Sequence, residues 1–182
     1  MRLYGVGVGW NQVEYEALGQ DFHSRGKRLD EQITLIRRLW TEPPVTFHGT
    51  FDHVTAAGLA PLPVQRPIPV WIGAQSPVAY RRAGRTADGW FPQISPGPEL
   101  EEARRIVIDA AIAAGRDPEL IGMEGRVTWR GDPGQLAERL RQWHEARATH
   151  VSVNTMGAGL ATVDDHLSAL ATSIAAAKDV AS

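Results

Sequence analysis

The stretch Ile72-Gly73-Ala74-Gln75-Ser76-Pro77 carries the strongest chemical signal in the chain. A short apolar run, Val70 to Ile72, ends in a glycine turn, and Ser76 followed by Pro77 is an N-cap with proline at the first helical position. A strand that turns directly into a helix offers free backbone N–H groups and the positive end of a helix dipole, which suits a phosphate. The dipole alone is worth about 0.3–1 kcal/mol at an exposed site. The Ser76 hydroxyl and the unobstructed backbone at Gly73 must therefore add to it. The same residues also make an ordinary, well-capped strand-to-helix turn, and the pattern alone leaves both readings open.

A second candidate is Gly5-Val6-Gly7-Val8-Gly9-Trp10 near the start of the chain. It fails the dinucleotide fingerprint G-x-G-x-x-G, because Trp10 stands where a small residue is required. Strand geometry gives a better account. Successive residues face opposite sides, so Val6 and Val8 can face a helix layer while the glycines leave room on the other side. A flat ring at the strand's C-terminal end, beside Trp10 and Asn11, would fill that room. Close packing of strand on helix is the structural alternative.

Other chemistry-bearing residues are less organised. His23, His48, His53, His144, His150 and His166 show no zinc-type spacing, and no metal site is expected. Asp164-Asp165 reads as a helix-start pair. Arg81 and Arg82 are within reach of a phosphate from the next helix but are expected on its solvated face. Asp88 is expected to serve structurally, capping the start of a strand or pairing with an arginine. No nucleophile motif and no candidate catalytic acid or base is visible.

The chain has 182 residues, a formal net charge of −2 and no cysteine. That length is most simply one domain, 1–182, able to build a real core. The charge gives no electrostatic footprint for nucleic acid or an anionic membrane. Absence of cysteine excludes a disulfide framework and a thiol nucleophile, and fits a cytoplasmic protein. No apolar run approaches the ~18 residues of a membrane span.

The elements that must position these residues alternate. After the glycine-rich strand, Asn11 and Glu14 form a capping-box start and Gly19 stops a short helix. Leu29, Ile33, Ile36 and Trp40 share one face of a helix from about Ser24 to Thr41, ended by Pro43 and Pro44. The stretch 45–54 reads as a hairpin turning at Gly49, and 59–69 as an extended connector. Strands are expected at 70–72, 89–91, 121–129 and 150–154, with helices at 77–87, 100–114, from Asp132 to Ala146, and from Thr162 onward. Such alternation argues for a parallel sheet flanked by helices. Length favours an open five-stranded sheet, since a (β/α)₈ barrel takes about 250 residues.

Four stretches together resemble the luciferase-like monooxygenase superfamily, in particular its branch using the deazaflavin F420. They are GVGVGWNQVEYEALGQDFHSRGKRLDEQITLIRRLW, FHGTF, PLPVQRPIPVWIGAQSP and RRAGRTADGW. The resemblance implies a TIM-barrel-related α/β fold and a flavin- or F420-dependent oxidoreductase or monooxygenase acting on a small organic substrate. It implies that Gly73, Ala74, Gln75 and Ser76 hold the cofactor phosphate, and that Gly7, Gly9 and Trp10 lie beside its ring. Bacterial luciferases carry an arginine in the glycine-rich strand where this chain has Val8, which favours F420 over FMN. The catalytic residues stay unassigned.

The resemblance covers only later elements of that barrel. About five β/α units are expected, with the first three strands absent and the glycine-rich strand corresponding to about the fourth. The chain is then either an incomplete polypeptide or a half that covers its edge strand by pairing, most simply as a C₂ homodimer. A non-catalytic partial-barrel module that binds a flavin-type cofactor or serves in assembly is the alternative function.

Overall fold

A computed structural model describes residues 3–181. Chain order is β1 (Tyr4–Val6), α1 (Gln12–Ala17), α2 (Arg25–Thr41), β2 (Val45–His48), β3 (His53–Ala57), β4 (Val70–Ala74), α3 (Pro77–Thr86), β5 (Gly89–Pro92), α4 (Pro98–Ala113), β6 (Gly122–Thr128), α5 (Pro133–Glu145), β7 (His150–Asn154) and α6 (Val163–Ala181). Local chemistry sets most boundaries. The Asn11 side chain accepts from Val13 N at 3.2 Å, and Asp132 accepts from Gly134 N at 2.8 Å. Thr162 and Asp165 form a reciprocal capping box at α6, each side chain accepting the other's backbone N–H. At Asn11 the pair with Glu14 is side chain to side chain, so the box expected there is only half made. Ser24 does not cap α2 through its side chain; Asp21 instead caps a 3₁₀ turn leading into the helix.

Five strands form one parallel sheet in the order β1-β4-β5-β6-β7. Neighbours follow chain order from edge to edge, as in a barrel, without the reversal that marks a doubly wound sheet. The sheet is a curled half-barrel, and the open-sheet order that length favours does not occur. The hairpin β2–β3 stands apart and is antiparallel. Its turn is held by Glu31 of α2, whose carboxylate accepts from Thr50 N, Phe51 N and Asp52 N at 2.6, 2.9 and 2.8 Å.

The core lies between the sheet and its helices. Val70, Ile72, Ala74, Trp90, Met123 and Val127 point from the strands into this layer, meeting Ile33, Tyr80, Leu100, Leu136 and Trp143. Helices α3 and α4 approach closely at Gly84, where a Cβ would lie 2.2 Å from the Val107 carbonyl oxygen.

Asp88 lies at the N-terminal end of the sheet and plays both expected structural roles. It accepts from Val70 N at 2.8 Å and pairs with Arg37 at 2.7 Å, with Arg116 at 3.9 Å. Burial lowers the Arg116 pKa, which the nearby Asp88 carboxylate partly offsets. Arg82 departs from expectation. It is 8% exposed and pairs with Asp30 of α2 at 2.7 Å, passing over Gly26, whose missing side chain makes the room.

Candidate functional site

Two observations fix which way each strand residue faces. A Cβ on Gly125 would lie 2.3 Å from the Trp143 ring of α5, so Gly125 faces the helices. A Cβ on Gly89 or Gly122 would collide with the Trp71 indole at 2.2 and 2.5 Å, so these three residues share the opposite face. Strand alternation and the observed register then arrange that face in levels.

The lowest level holds Gly5, Trp71, Gly89 and Gly122, paired in sequence across β1, β4, β5 and β6. Trp71 fills the space that Gly89 and Gly122 leave and is 2% exposed, while the Phe91 ring lies 3.4 Å from where a Cβ on Gly5 would stand. Its indole packs against Phe91 at 5.5 Å and His150 at 5.0 Å between ring centroids. One pleat higher come Gly7, Gly73, Phe91, Glu124 and His150, the last two directly paired. Higher still, toward the C-terminal end, Arg126 pairs with Ser152 and Thr128 with Asn154.

The face is therefore divided. Toward β1 and β4 it is bare: a Cβ at Gly7 meets nothing within 4 Å, and one at Gly73 meets only the Val6 carbonyl oxygen at 3.8 Å. Val6 and Val8 pack toward the core as the alternation predicts. Beside this slot β4 turns into α3, where the Ser76 side chain accepts from Ala79 N at 3.4 Å. Gln75 and Ser76 are exposed, and the N-terminus of α3 opens to solvent at the slot's edge. Aromatic Phe91 flanks the slot on β5.

The glycine-rich strand is shorter than expected. Its ladder with β4 stops at Val6, and Gly9 adopts φ +74°, which takes the chain out of the sheet toward α1. The Tyr15 hydroxyl donates to the Val8 carbonyl and fixes this exit. Gly7, Gly73 and the 73–76 turn thus meet at the C-terminal ends of adjacent strands. Trp10, past the exit, is 85% exposed.

Sequence reasoning missed Trp71, Phe91, Glu124, Arg126 and His150 on this face. The alternation in Gly122-Met123-Glu124-Gly125-Arg126-Val127-Thr128 carried the signal, since every second residue there is buried. Among the described residues no group of three or more His, Asp or Glu could hold a metal ion, and no helix is long and apolar enough to cross a membrane.

The family model described as luciferase-like monooxygenase matches residues 3–129. An F420-dependent glucose-6-phosphate dehydrogenase of Gordonia bronchialis is 37% identical over 149 residues, 78% of this chain and 44% of that protein. The chain thus spans less than half the length of this curated relative. Among solved structures, an F420-dependent secondary alcohol dehydrogenase in complex with an F420–acetone adduct superposes with a TM-score of 0.62 at 18% identity. The match covers 94% of this chain and 60% of that one. A monooxygenase from Streptomyces bottropensis gives a TM-score of 0.56 at 26% identity, covering 97% and 56%.

Proposed function

Because the chain belongs to the luciferase-like monooxygenase family, we propose that it forms the cofactor-binding part of an F420-dependent oxidoreductase acting on a small organic substrate. The observation that carries this reading is the bare slot at Gly7 and Gly73 beside the exposed N-terminus of α3. A planar ring fits against a strand face without side chains, and a phosphate fits the helix start one turn away. The residues present therefore suit such a cofactor.

In this reading Gly73, Ala74, Gln75 and Ser76 hold the phosphate through backbone N–H groups and the Ser76 hydroxyl. Gly7 and Gly9 admit the ring, with Phe91 at its side and Trp10 at the mouth. The bound deazaflavin supplies the hydride chemistry; the protein orients the ring, restricts water and positions the substrate above it. Relatives named for F420-dependent dehydrogenation support F420 as the first choice, and FMN is kept as the second.

The placement is tested with Ser76→Ala. Loss of the hydroxyl is expected to weaken cofactor affinity by about 1 kcal/mol, roughly fivefold. Unchanged affinity refutes the assignment of the phosphate to this turn.

We further propose that residues 1–182 act as one domain in the cytoplasm and that the chain self-associates as a homodimer. Support comes from apolar grooves at both sheet edges. One, of 310 Å³, lies between β1 and α2; the other, of 530 Å³, lies among β7, α5 and α6. Parallel edge strands flanked by such grooves invite cover. A monomeric mass at micromolar concentration would rule the dimer out.

A further inference from the structure

The sheet has two bare edges, and they are not alike. Among the described residues β1 pairs only with β4 and β7 only with β6. These are opposite sides of a sheet whose strands all run the same way. The free side of a β7 therefore fits the free side of a β1 in parallel, as every other pair in this sheet is made.

The helices carry the same asymmetry. A helix that follows a parallel strand crosses over right-handed and packs across that strand and the next. Helix α6 follows β7, and among the described residues no strand lies beyond it. It packs on α5, and Ala169, Ser173 and Ala176 form its buried face. Val163, Leu167 and Ile174 form a second apolar row at i, i+4 and i+11, and this row is exposed. At the other edge the groove is walled by Leu29, Ile33 and Ile36 of α2 with Tyr4 and Val6 of β1. One edge thus offers a strand beside an uncovered helix face, the other a strand beside an apolar groove.

Charge matches the two edges as well. The first turn of α6 carries Asp164 and Asp165. The first turn of α2 carries Arg25, Lys27 and Arg28 and no acid. Cations at a helix N-terminus oppose its dipole, and Arg28 reaches Asp52 only at 3.8 Å. In a parallel β/α sheet neighbouring helices start at the same end, so the acidic start of one helix meets the basic start of the other.

We infer that two copies of the chain close head to tail. β7 of each pairs in parallel with β1 of the other, and α6 of each lies in the groove between β1 and α2 of the other. The inference rests on the homodimer proposed above and names how its copies meet. An isologous contact, β1 on β1 or β7 on β7, covers one kind of edge and leaves the other bare in both copies. The head-to-tail ring covers all four edges. Its ten strands enclose an interior wider than that of an eight-stranded barrel, which side chains just fill. Each slot at Gly7 is then walled by β7 of the other copy.

The chain has no cysteine, so thiol cross-linking reads the contact directly. Tyr4 and Val151 lie on the helix side of their edge strands, and Tyr4→Cys is mixed with Val151→Cys. Gly7→Cys mixed with Ser152→Cys tests the open face in the same way. A short bismaleimide is expected to join the chains in both mixtures and in none of the four variants alone. Sedimentation equilibrium is expected to give the mass of a dimer. Ile174→Lys, a change at an exposed position, is expected to raise the dimer Kd at least tenfold while circular dichroism shows the same helix content. A dimer that cross-links in neither mixture would overturn the head-to-tail ring and leave the homodimer standing, whichever single variant links. An unchanged Kd in Ile174→Lys would overturn the place given to α6. An open series of larger species would show that the contact does not close, and would overturn the ring. A monomeric mass would overturn both ring and homodimer, and leave the two edges to a different polypeptide.

Discussion

The indole of Trp71 stands edge-on to the imidazole of His150, ring centroids 5.0 Å apart and planes at 84°, although two strands separate β4 from β7. This reach is possible because Gly89 and Gly122, on those two strands, have no side chains beneath it. A single large residue thereby forms the floor of the open face and ties together four of its five strands.

Replacing Gly89 by alanine therefore strikes the floor directly. The new Cβ would lie 2.2 Å from Trp71, and the forced rearrangement is expected to cost about 1–3 kcal/mol. Urea unfolding should show the loss, and most of it should vanish in a Trp71→Ala background. A Gly89→Ala penalty that is the same in both backgrounds would contradict the account.

Gly7 makes the opposite prediction. A Cβ there meets nothing within 4 Å, so Gly7→Val should change stability by less than about 1 kcal/mol, as for a surface site. The added side chain fills the proposed ring slot, and F420 affinity should fall by tenfold or more, about 1.4 kcal/mol. Thermal unfolding and cofactor titration on the same sample separate the two effects.

The hairpin turn should weaken with acid. Partial burial raises the Glu31 pKa, but the amides of Phe51, Asp52 and Thr50 lower it by more, leaving it below its ordinary value of 4.5. A depressed folded pKa adds stability that is present in full above the unfolded value and is lost as pH falls through the folded one. Wild type should therefore exceed Glu31→Gln in stability at pH 7, and the gap should close on going below about pH 4. Denaturant melts across that range check it; a gap independent of pH would place the effect elsewhere.

Much of this fold is legible because its signals are local. Ser76-Pro77, Asp132-Pro133 and Thr162 with Asp165 mark helix starts through caps within three residues. The valine–glycine alternation at the start likewise assigned faces correctly. What was not legible depends on distant partners. The length of β1 is set by where β4 pairs with it, and the burial of Arg82 by Asp30, 52 residues away. Trp71 lies in an all-apolar run, Val70-Trp71-Ile72, where composition does not say which face is the helix side. Only the register with Gly89 and Gly122 settles it. In β6 the alternation was present, but its polar half acquires meaning only once the strand is seen to line the same face as Gly7 and Gly73.

The most direct measurement is an equilibrium fluorescence titration of the purified chain with F420 and, separately, with FMN. The account predicts saturable binding of F420, weaker binding of FMN, and reduced F420 affinity in Ser76→Ala. Absence of binding to either, in a chain whose cooperative thermal transition shows it to be folded, would contradict a cofactor site built from Gly7, Gly73 and the turn to Ser76.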